Sequence, residues 1–244
     1  MGLVISVVIP AYNEAAYLPQ TLGCLMRSVE HEGGNRDLGW VEVIVADSGS
    51  TDRTSEVAGA LGARVVSVPK HNISRVRNVG AAAARGELLV FLDADTLVPE
   101  EFLGRILKEM EPANCLGGAW DTDYRPARCS VRVYLRLWRW LGLWLGMAQG
   151  AAQFCRRDAF VAVGRFEESL FMGEDVDFFW RLRKLAKSKG QYVQIVRDLQ
   201  VVPSCRRFDQ WPLWRILIKT NPFYIFVFKR MKFAWQGWYH DVPR

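Results

Sequence analysis

Two carboxylates one residue apart, Asp93 and Asp95, close a run of five apolar residues, Leu88-Leu89-Val90-Phe91-Leu92. Two hard oxygen donors at this spacing suit a Mg²⁺ or Mn²⁺ ion that also carries phosphate oxygens. In an extended chain alternate side chains share a face, so both acids can project the same way, with Ala94 adding no bulk between them. The alternative is that they open a loop and cap a helix beginning near Pro99-Glu100. A second acidic pair, Glu174-Asp175, stands where a helical pattern begins, with Phe178, Phe179, Leu182 and Leu185 on its inner side. Acids at a helix N-terminus are favoured by the dipole whatever else they do.

The elements that must hold these acids are set by the apolar pattern. Leu3 to Pro10, Val41 to Ala46, Arg64 to Val68 and Leu88 to Leu92 read as buried strands. Helical patterns separate them: one ending near Glu30, a short one ending near Leu61 with Gly62 as its C-terminal cap, and Val79 to Arg85. His31 to Gly39 reads as a loop, and Asn72 to Asn78 as a polar stretch. Strand and helix alternating at this spacing predict an α/β fold with a mostly parallel sheet flanked by helices. Ligands of such sheets bind at the carboxyl ends of the strands. Those ends carry Tyr12-Asn13-Glu14, Asp47-Ser48-Gly49 and Asp93-Ala94-Asp95.

Four runs share their order and spacing with one known family: Val8-Ile9-Pro10-Ala11-Tyr12-Asn13-Glu14, Val45 to Thr54, Arg77-Asn78-Val79-Gly80, and Phe91 to Asp95. Over its first 110 residues the chain resembles the family 2 glycosyltransferases, of bacterial type, with their GT-A nucleotide-sugar fold. The resemblance implies that Pro10, Tyr12, Glu14 and Asp47 line the base and ribose pocket. It puts Arg77 and Asn78 on the nucleotide or the sugar. It makes Asp93 and Asp95 the metal ligands on the diphosphate of the donor, with UDP favoured over GDP. A buried acid such as Asp47 can accept the N–H of a uracil ring; it can equally cap the turn through Ser50-Thr51. Arg77 can also be read as a solvated cation at a helix start.

Further along, Gly150 to Asp158 resembles the family's passage before the catalytic acids. The resemblance makes Asp175 the base that deprotonates an acceptor hydroxyl, with Glu174 orienting it. It also implies that Arg206 or Arg207, in Ser204-Cys205-Arg206-Arg207-Phe208, closes over the diphosphate. Gln210 and Trp214 have the spacing of the processive enzymes' Gln-x-x-Arg-Trp motif, but Leu213 stands where the arginine belongs, so transfer of a single sugar is expected. Gly117 and Gly118, in a strand-like segment, mark a place where a ligand can approach closely.

Two stretches point to a membrane surface, and the second can also be read as an oligomer contact or a cap over the core. Val131 to Met147 is apolar and aromatic, with Arg132, Arg136 and Arg139 on one helical face. It reads either as an interfacial helix whose arginines meet lipid phosphates or as a helix packed on the sheet with one wet stripe. Trp211 to Tyr239 mixes aromatics with Lys and Arg, and Asn221-Pro222 breaks it into pieces too short to span a bilayer. Eight Lys/Arg against two Asp between Cys205 and Arg244 give that end a net charge equal to the whole chain's formal +6.

The expected organisation is a GT-A domain over 1–204, with a nucleotide half over 1–110 and an acceptor half over 111–204, and a basic aromatic extension over 205–244. Five cysteines without a CxxC pair point away from a disulfide framework or a zinc site and towards a reducing compartment. The N-terminus reads as a strand rather than a signal peptide. The expected setting is therefore cytoplasmic, peripheral at the inner face of the membrane. The activity expected is inverting transfer from a nucleoside-diphosphate sugar to a hydroxyl acceptor, lipid-linked or hydrophobic. Nucleotidyl transfer usually carries a glycine-rich phosphate loop near the N-terminus, where this chain has Pro10-Ala11-Tyr12-Asn13-Glu14. A non-catalytic sugar-nucleotide or membrane-surface binder would have no need of both acidic pairs. No nucleic-acid module is recognisable.

Overall fold

The computed structural model describes residues 5–32, 40–69, 72–147 and 150–235. The start of the first expected strand, most of the loop before Trp40 and the last residues of the aromatic tail lie outside these. The first half runs β1 (Ile5–Ala11), α1 (Leu18–His31), β2 (Val41–Asp47), α2 (Thr54–Ala60), β3 (Arg64–Ser67), α3 (Ile73–Ala83) and β4 (Leu88–Leu92). It continues through β5 (Thr96–Leu97), α4 (Phe102–Met110), β6 (Cys115–Thr122), α5 (Cys129–Trp144), β7 (Ala152–Arg156) and α6 (Arg157–Ala162). Then come α7 (Glu174–Ser188), β8 (Tyr192–Pro203), α8 (Arg206–Gln210), α9 (Leu213–Lys219) and α10 (Pro222–Phe228).

The strands form one sheet in the order β3-β2-β1-β4-β7-β6-β8-β5. The first four are parallel, as the alternating pattern predicts. Then β7 lies antiparallel between β4 and β6, and the short β5 pairs antiparallel with β8, so the second half is mixed. β4 is at the centre and every residue of it is buried. Its side chains alternate: Leu88, Val90 and Leu92 join the core under α1 and α4, while Leu89 and Phe91 join Phe160, Phe166 and Phe178 on the opposite face. Each such side chain contributes roughly 1.5–3 kcal/mol on burial. The two cores fix the height at which the strand ends, and with it the position of Asp93.

Two expectations change. α3 begins at Ile73, not Val79, because Asn72 caps it by accepting the N–H of Arg75 at 3.1 Å. The polar stretch is thus the first turn of a helix whose buried side includes Arg77 and Asn78. The glycines of β6 serve strand packing, not ligand approach. A Cβ at Gly117 would fall 2.3 Å from the Phe154 carbonyl of β7, and one at Gly118 would fall 2.5 Å from the Gln194 carbonyl of β8.

The segment after residue 204 packs on the rest of the chain. Phe208, Trp211 and Ile216 form a cluster with Val131 and Leu135 of α5, and Tyr134 shares a 2.6 Å hydrogen bond with Thr220. Asn221 caps α10 by accepting the N–H groups of Phe223 and Tyr224, with Pro222 in the first turn. Among the described residues no helix is long and apolar enough to cross a membrane.

Candidate active site

Beyond Leu92 the chain turns, and Thr96 N–H donates to the Asp93 carbonyl at 3.2 Å. The turn changes the expected geometry. Asp93 and Asp95 do not meet one partner as alternate residues of a strand would; each finds its own cation. Asp93 accepts from Nη2 of Arg77 at 2.8 Å, while Asp95 lies 3.1 Å from Nη2 of Arg206. Both still face one cavity of about 1320 Å³, together with Glu14, Glu174 and Asp175.

Arg77 is the buried hinge of this arrangement, with its side chain 3% exposed. Its Nη1 donates to Oε1 of Glu174 at 2.8 Å while Nη2 serves Asp93. The two carboxylates hold the guanidinium protonated, well above its ordinary range, against the burial that opposes charge. Burial is in turn the main influence on the acids. It pushes Asp93 up to about 6 and Glu174 to about 7, with neighbouring carboxylates adding to the rise and Arg77 opposing it. Asp95 also rises, chiefly through burial.

Glu174 and Asp175 open α7, whose N-cap, Gly173, sits at φ 72, a left-handed conformation that suits glycine. Oδ2 of Asp175 accepts the backbone N–H of Gly150 at 2.6 Å, and Oδ1 accepts that of Val176 at 2.8 Å. The approach to Gly150 is close: a Cβ there would stand 2.5 Å from Cβ of Asp175. Tyr124, also on the cavity wall, feels Asp93, Asp175 and Asp95; with burial they push its phenol upward, so it stays a hydrogen-bond donor.

Pro10, Tyr12 and Glu14 line the opposite part of the cavity beside Ser48. Arg206 joins that wall to Asp95: its Nη2 contacts Oε1 of Glu14 at 2.5 Å, and its guanidinium lies 4.2 Å from the centre of the Tyr17 ring. Arg207 also lines the cavity. The strand pairing explains this convergence. β5 comes directly after Asp95 and pairs with the end of β8, and Ser204 N–H donates to the Asp95 carbonyl at 3.0 Å.

Two of the expected site residues meet protein groups away from the cavity lining. Asp47 does not line the cavity. Oδ1 accepts the Ser50 N–H at 2.9 Å and its hydroxyl at 2.5 Å, and the Ser55 hydroxyl donates to Oδ2. Local hydroxyl donors three and eight residues on turn the carboxylate into the loop. Asn78 is likewise off the wall. It donates to the Phe166 carbonyl and accepts the Phe166 N–H, at 2.9 and 3.0 Å, and so ties α3 to the segment leading into α7. The sequence names Ser48 and Gly150 only as members of longer runs and Tyr124 not at all, because their contacts on the cavity come from distant strands and loops.

The donor set fits a divalent cation. Among the described residues, Glu14, Asp93, Asp95 and Glu174 meet Arg77 or Arg206 at ion-pair distance, a sixth acid on the wall, Asp177, pairs with Arg181, and Oε2 of Glu14 is buried without a hydrogen-bond partner. Two aspartates rather than a closed cage suit Mg²⁺ or Mn²⁺ with water and phosphate as the remaining ligands. No group of three or more His, Cys, Asp or Glu among the described residues forms an all-protein metal cage.

The sequence also has relatives. It is 36% identical over 109 residues to the validoxylamine A glucosyltransferase of Streptomyces hygroscopicus subsp. jinggangensis, covering 42% of this chain and 24% of that protein. It is 38% identical over 117 residues to the undecaprenyl-phosphate 4-deoxy-4-formamido-L-arabinose transferase of Pseudomonas paraeruginosa, covering 43% of this chain and 31% of that one. The matches thus span a quarter to a third of these curated relatives. Among solved structures, a mannosyltransferase from Pyrobaculum calidifontis in complex with GDP-Man and Mn²⁺ superposes with a TM-score of 0.65 at 19% identity, over 88% of this chain and 61% of that one. The glucosyl-3-phosphoglycerate synthase of Mycobacterium tuberculosis, with Mn²⁺, UDP and phosphoglyceric acid, gives 0.62 at 24% identity, over 94% and 78%. These likenesses show the GT-A fold. The model of the family described as glycosyl transferase family 2 matches residues 6–163, more than half of the sequence, and the chain belongs to that family.

Proposed function

We propose that this protein transfers a sugar from a nucleoside-diphosphate sugar, UDP-linked in the first instance, to a hydroxyl of a lipid-linked or otherwise hydrophobic acceptor, with inversion at the anomeric carbon. The observation that carries the reading is the convergence of Asp93, Asp95, Glu174 and Asp175 on one cavity, with Arg77 bridging the first acidic pair to the second.

In this reading Pro10, Tyr12, Glu14 and Ser48 receive the nucleoside, and Arg206 and Arg207 meet the diphosphate. A divalent cation held by Asp93 and Asp95 supplies positive charge against the diphosphate when it is bound. Asp175 is the base. It takes the proton of the acceptor hydroxyl as that oxygen bonds to the anomeric carbon, and the carbon–oxygen bond to the diphosphate breaks with its electron pair. The Gly150 N–H fixes one oxygen of Asp175, and Glu174 acts through Arg77 to keep the two acidic pairs in register. A positioned base contributes about 10²–10⁴-fold. The outer wall of the cavity includes Leu135, Trp138, Leu145 and Ile225, which favours an apolar acceptor body and a peripheral place at a membrane. The undecaprenyl-phosphate transferase named above supports such an acceptor.

The test is release of nucleoside diphosphate from a panel of UDP- and GDP-sugars with a polyprenyl-linked sugar, or a short-chain glycolipid analogue, that bears a free hydroxyl. The wild type is expected to turn over one donor with Mn²⁺, and Asp175→Asn to lose 10²-fold or more. Equal turnover by Asp175→Asn removes Asp175 as base.

A further inference from the structure

α5 is apolar on two opposite sides. Val131 and Leu135 are buried against Phe208, Trp211 and Ile216. On the other side Val133, Leu137, Trp140 and Trp144 recur at four-, three- and four-residue steps, which at 3.6 residues per turn keeps them within about 60° of one another. Their exposures rise along the helix, at 52%, 63%, 69% and 75%. A helix needs one apolar side to join a core; this one presents a second to solvent. α9, which packs beside α5, and α10, which packs on α9, expose Trp214, Leu217 and Phe223 in the same way.

Charge selects the occupant. Residues 124–147 and 210–235 together hold ten Lys/Arg and no Asp or Glu. Arg139 turns inward to the buried Asp121, and Lys219 is held by Tyr224. Arg132 and Arg136 stay exposed on the flank of α5, between its buried and its outward side, and Arg230 and Lys232 are exposed after α10. A second copy of this chain seated on this face through a twofold axis would set arginine against arginine with no acid to offset it. An anionic bilayer offers what the face lacks: apolar depth for the stripe, an interface for tryptophan and phosphate for the flanking cations.

We propose that the outward stripe of α5, with the exposed aromatics of α9 and α10, is the surface by which the protein docks on an anionic membrane. Arg132 and Arg136 therefore flank the buried surface and meet lipid phosphates, while Arg139, which the sequence pattern puts on the same face, turns inward to Asp121. The orientation gives the acceptor site its class. The cavity wall formed by Leu135, Trp138 and Ile225 belongs to these same helices, so a bilayer-resident amphiphile reaches the carboxylates from the lipid side. This last step rests on the proposed transfer reaction; the docking itself does not.

The experiment is co-sedimentation of the full chain with vesicles of phosphatidylcholine alone and of phosphatidylcholine with phosphatidylglycerol. It is run for wild type and for Trp140→Gln/Trp144→Gln/Trp214→Gln, with UDP–Mn²⁺ titration as the control for an intact donor site. The wild type is expected to bind the anionic vesicles, and the triple variant to bind about tenfold or more weakly while its UDP–Mn²⁺ titration matches wild type. A wild type that ignores anionic vesicles overturns the proposal, as does a triple variant that binds them equally. So does a wild-type dimer in sedimentation equilibrium that the variant dissolves, since the stripe would then be a contact between copies. Absence of UDP binding in both proteins alongside normal vesicle binding would count against the transfer reaction and leave the docking standing.

Discussion

Arg77 and Glu174 lie 97 residues apart in sequence, and their side chains meet at 2.8 Å inside the core, with the second guanidinium nitrogen on Asp93. One cation thus stands between Asp93 and Glu174, one acid of each acidic pair. Removing it strands buried carboxylates, which typically costs about 3–5 kcal/mol. Arg77→Met is expected to lose stability on this scale in urea unfolding at pH 7. It should regain part of it towards pH 5, where the carboxylates take up protons. Arg77→Lys should recover little, because an ammonium lacks the planar fork that reaches two carboxylates at once.

Glu174 gives the pH dependence of the wild type a definite sign. Its carboxyl is raised from about 4.5 to about 7 by burial first and Asp175 second. A carboxylate raised on folding weakens the folded state as pH climbs from the unfolded value through the folded one. The melting temperature of Glu174→Gln relative to wild type should therefore rise as pH climbs from 4.5 to 8. A difference that grows on acidification would contradict the burial argument.

Gly150 is a position where size alone decides. A Cβ would stand 2.5 Å from Cβ of Asp175, whose Oδ2 already accepts the Gly150 N–H at 2.6 Å. Gly150→Ala is expected to lower kcat about 10²-fold through displacement of the base. UDP–Mn²⁺ affinity, measured by calorimetry, should stay within about twofold of wild type, since the clash lies on the acceptor side of the cavity.

Arg206 occupies the space between Glu14 and Asp95, at 2.5 and 3.1 Å. A cation at Asp95 competes with it, whereas a diphosphate recruits it. Arg206→Gln should bind Mn²⁺ alone several-fold more tightly, as read by the loss of the free-ion paramagnetic resonance signal. In the presence of Mn²⁺ it should bind UDP more weakly. Weaker binding of both would make Arg206 a scaffold residue.

How far the sequence carries is clear from particular residues. The parallel half of the sheet is legible because Ile5 to Ala11 and Leu88 to Leu92 are almost wholly apolar, as strands covered on both faces must be. Asp93, Asp95, Glu174 and Asp175 are legible because each sits at the edge of such a pattern. The capping role of Asn72 is hidden, because Ser74, Arg75, Arg77 and Asn78 crowd between Ile73, Val76 and Val79 and obscure the apolar period that begins at Ile73. The partners of Asp47 and Asn78 are hidden too, since a buried polar side chain takes whichever donors the tertiary fold brings nearest. The outward stripe of α5 is masked by its inner one: two apolar faces on one helix leave little contrast, and only burial tells them apart.

Asp93 and Asp95 hold the central place in the proposed reaction, as the acids that bring metal and nucleotide together. The most direct measurement is calorimetric titration of UDP and of GDP, with and without Mn²⁺, into wild type and Asp95→Ala. The expected result is Mn²⁺-dependent binding of one nucleotide, UDP before GDP, that Asp95→Ala reduces by at least about tenfold. Nucleotide binding that is indifferent to Mn²⁺, or that survives Asp95→Ala unchanged, would contradict that role.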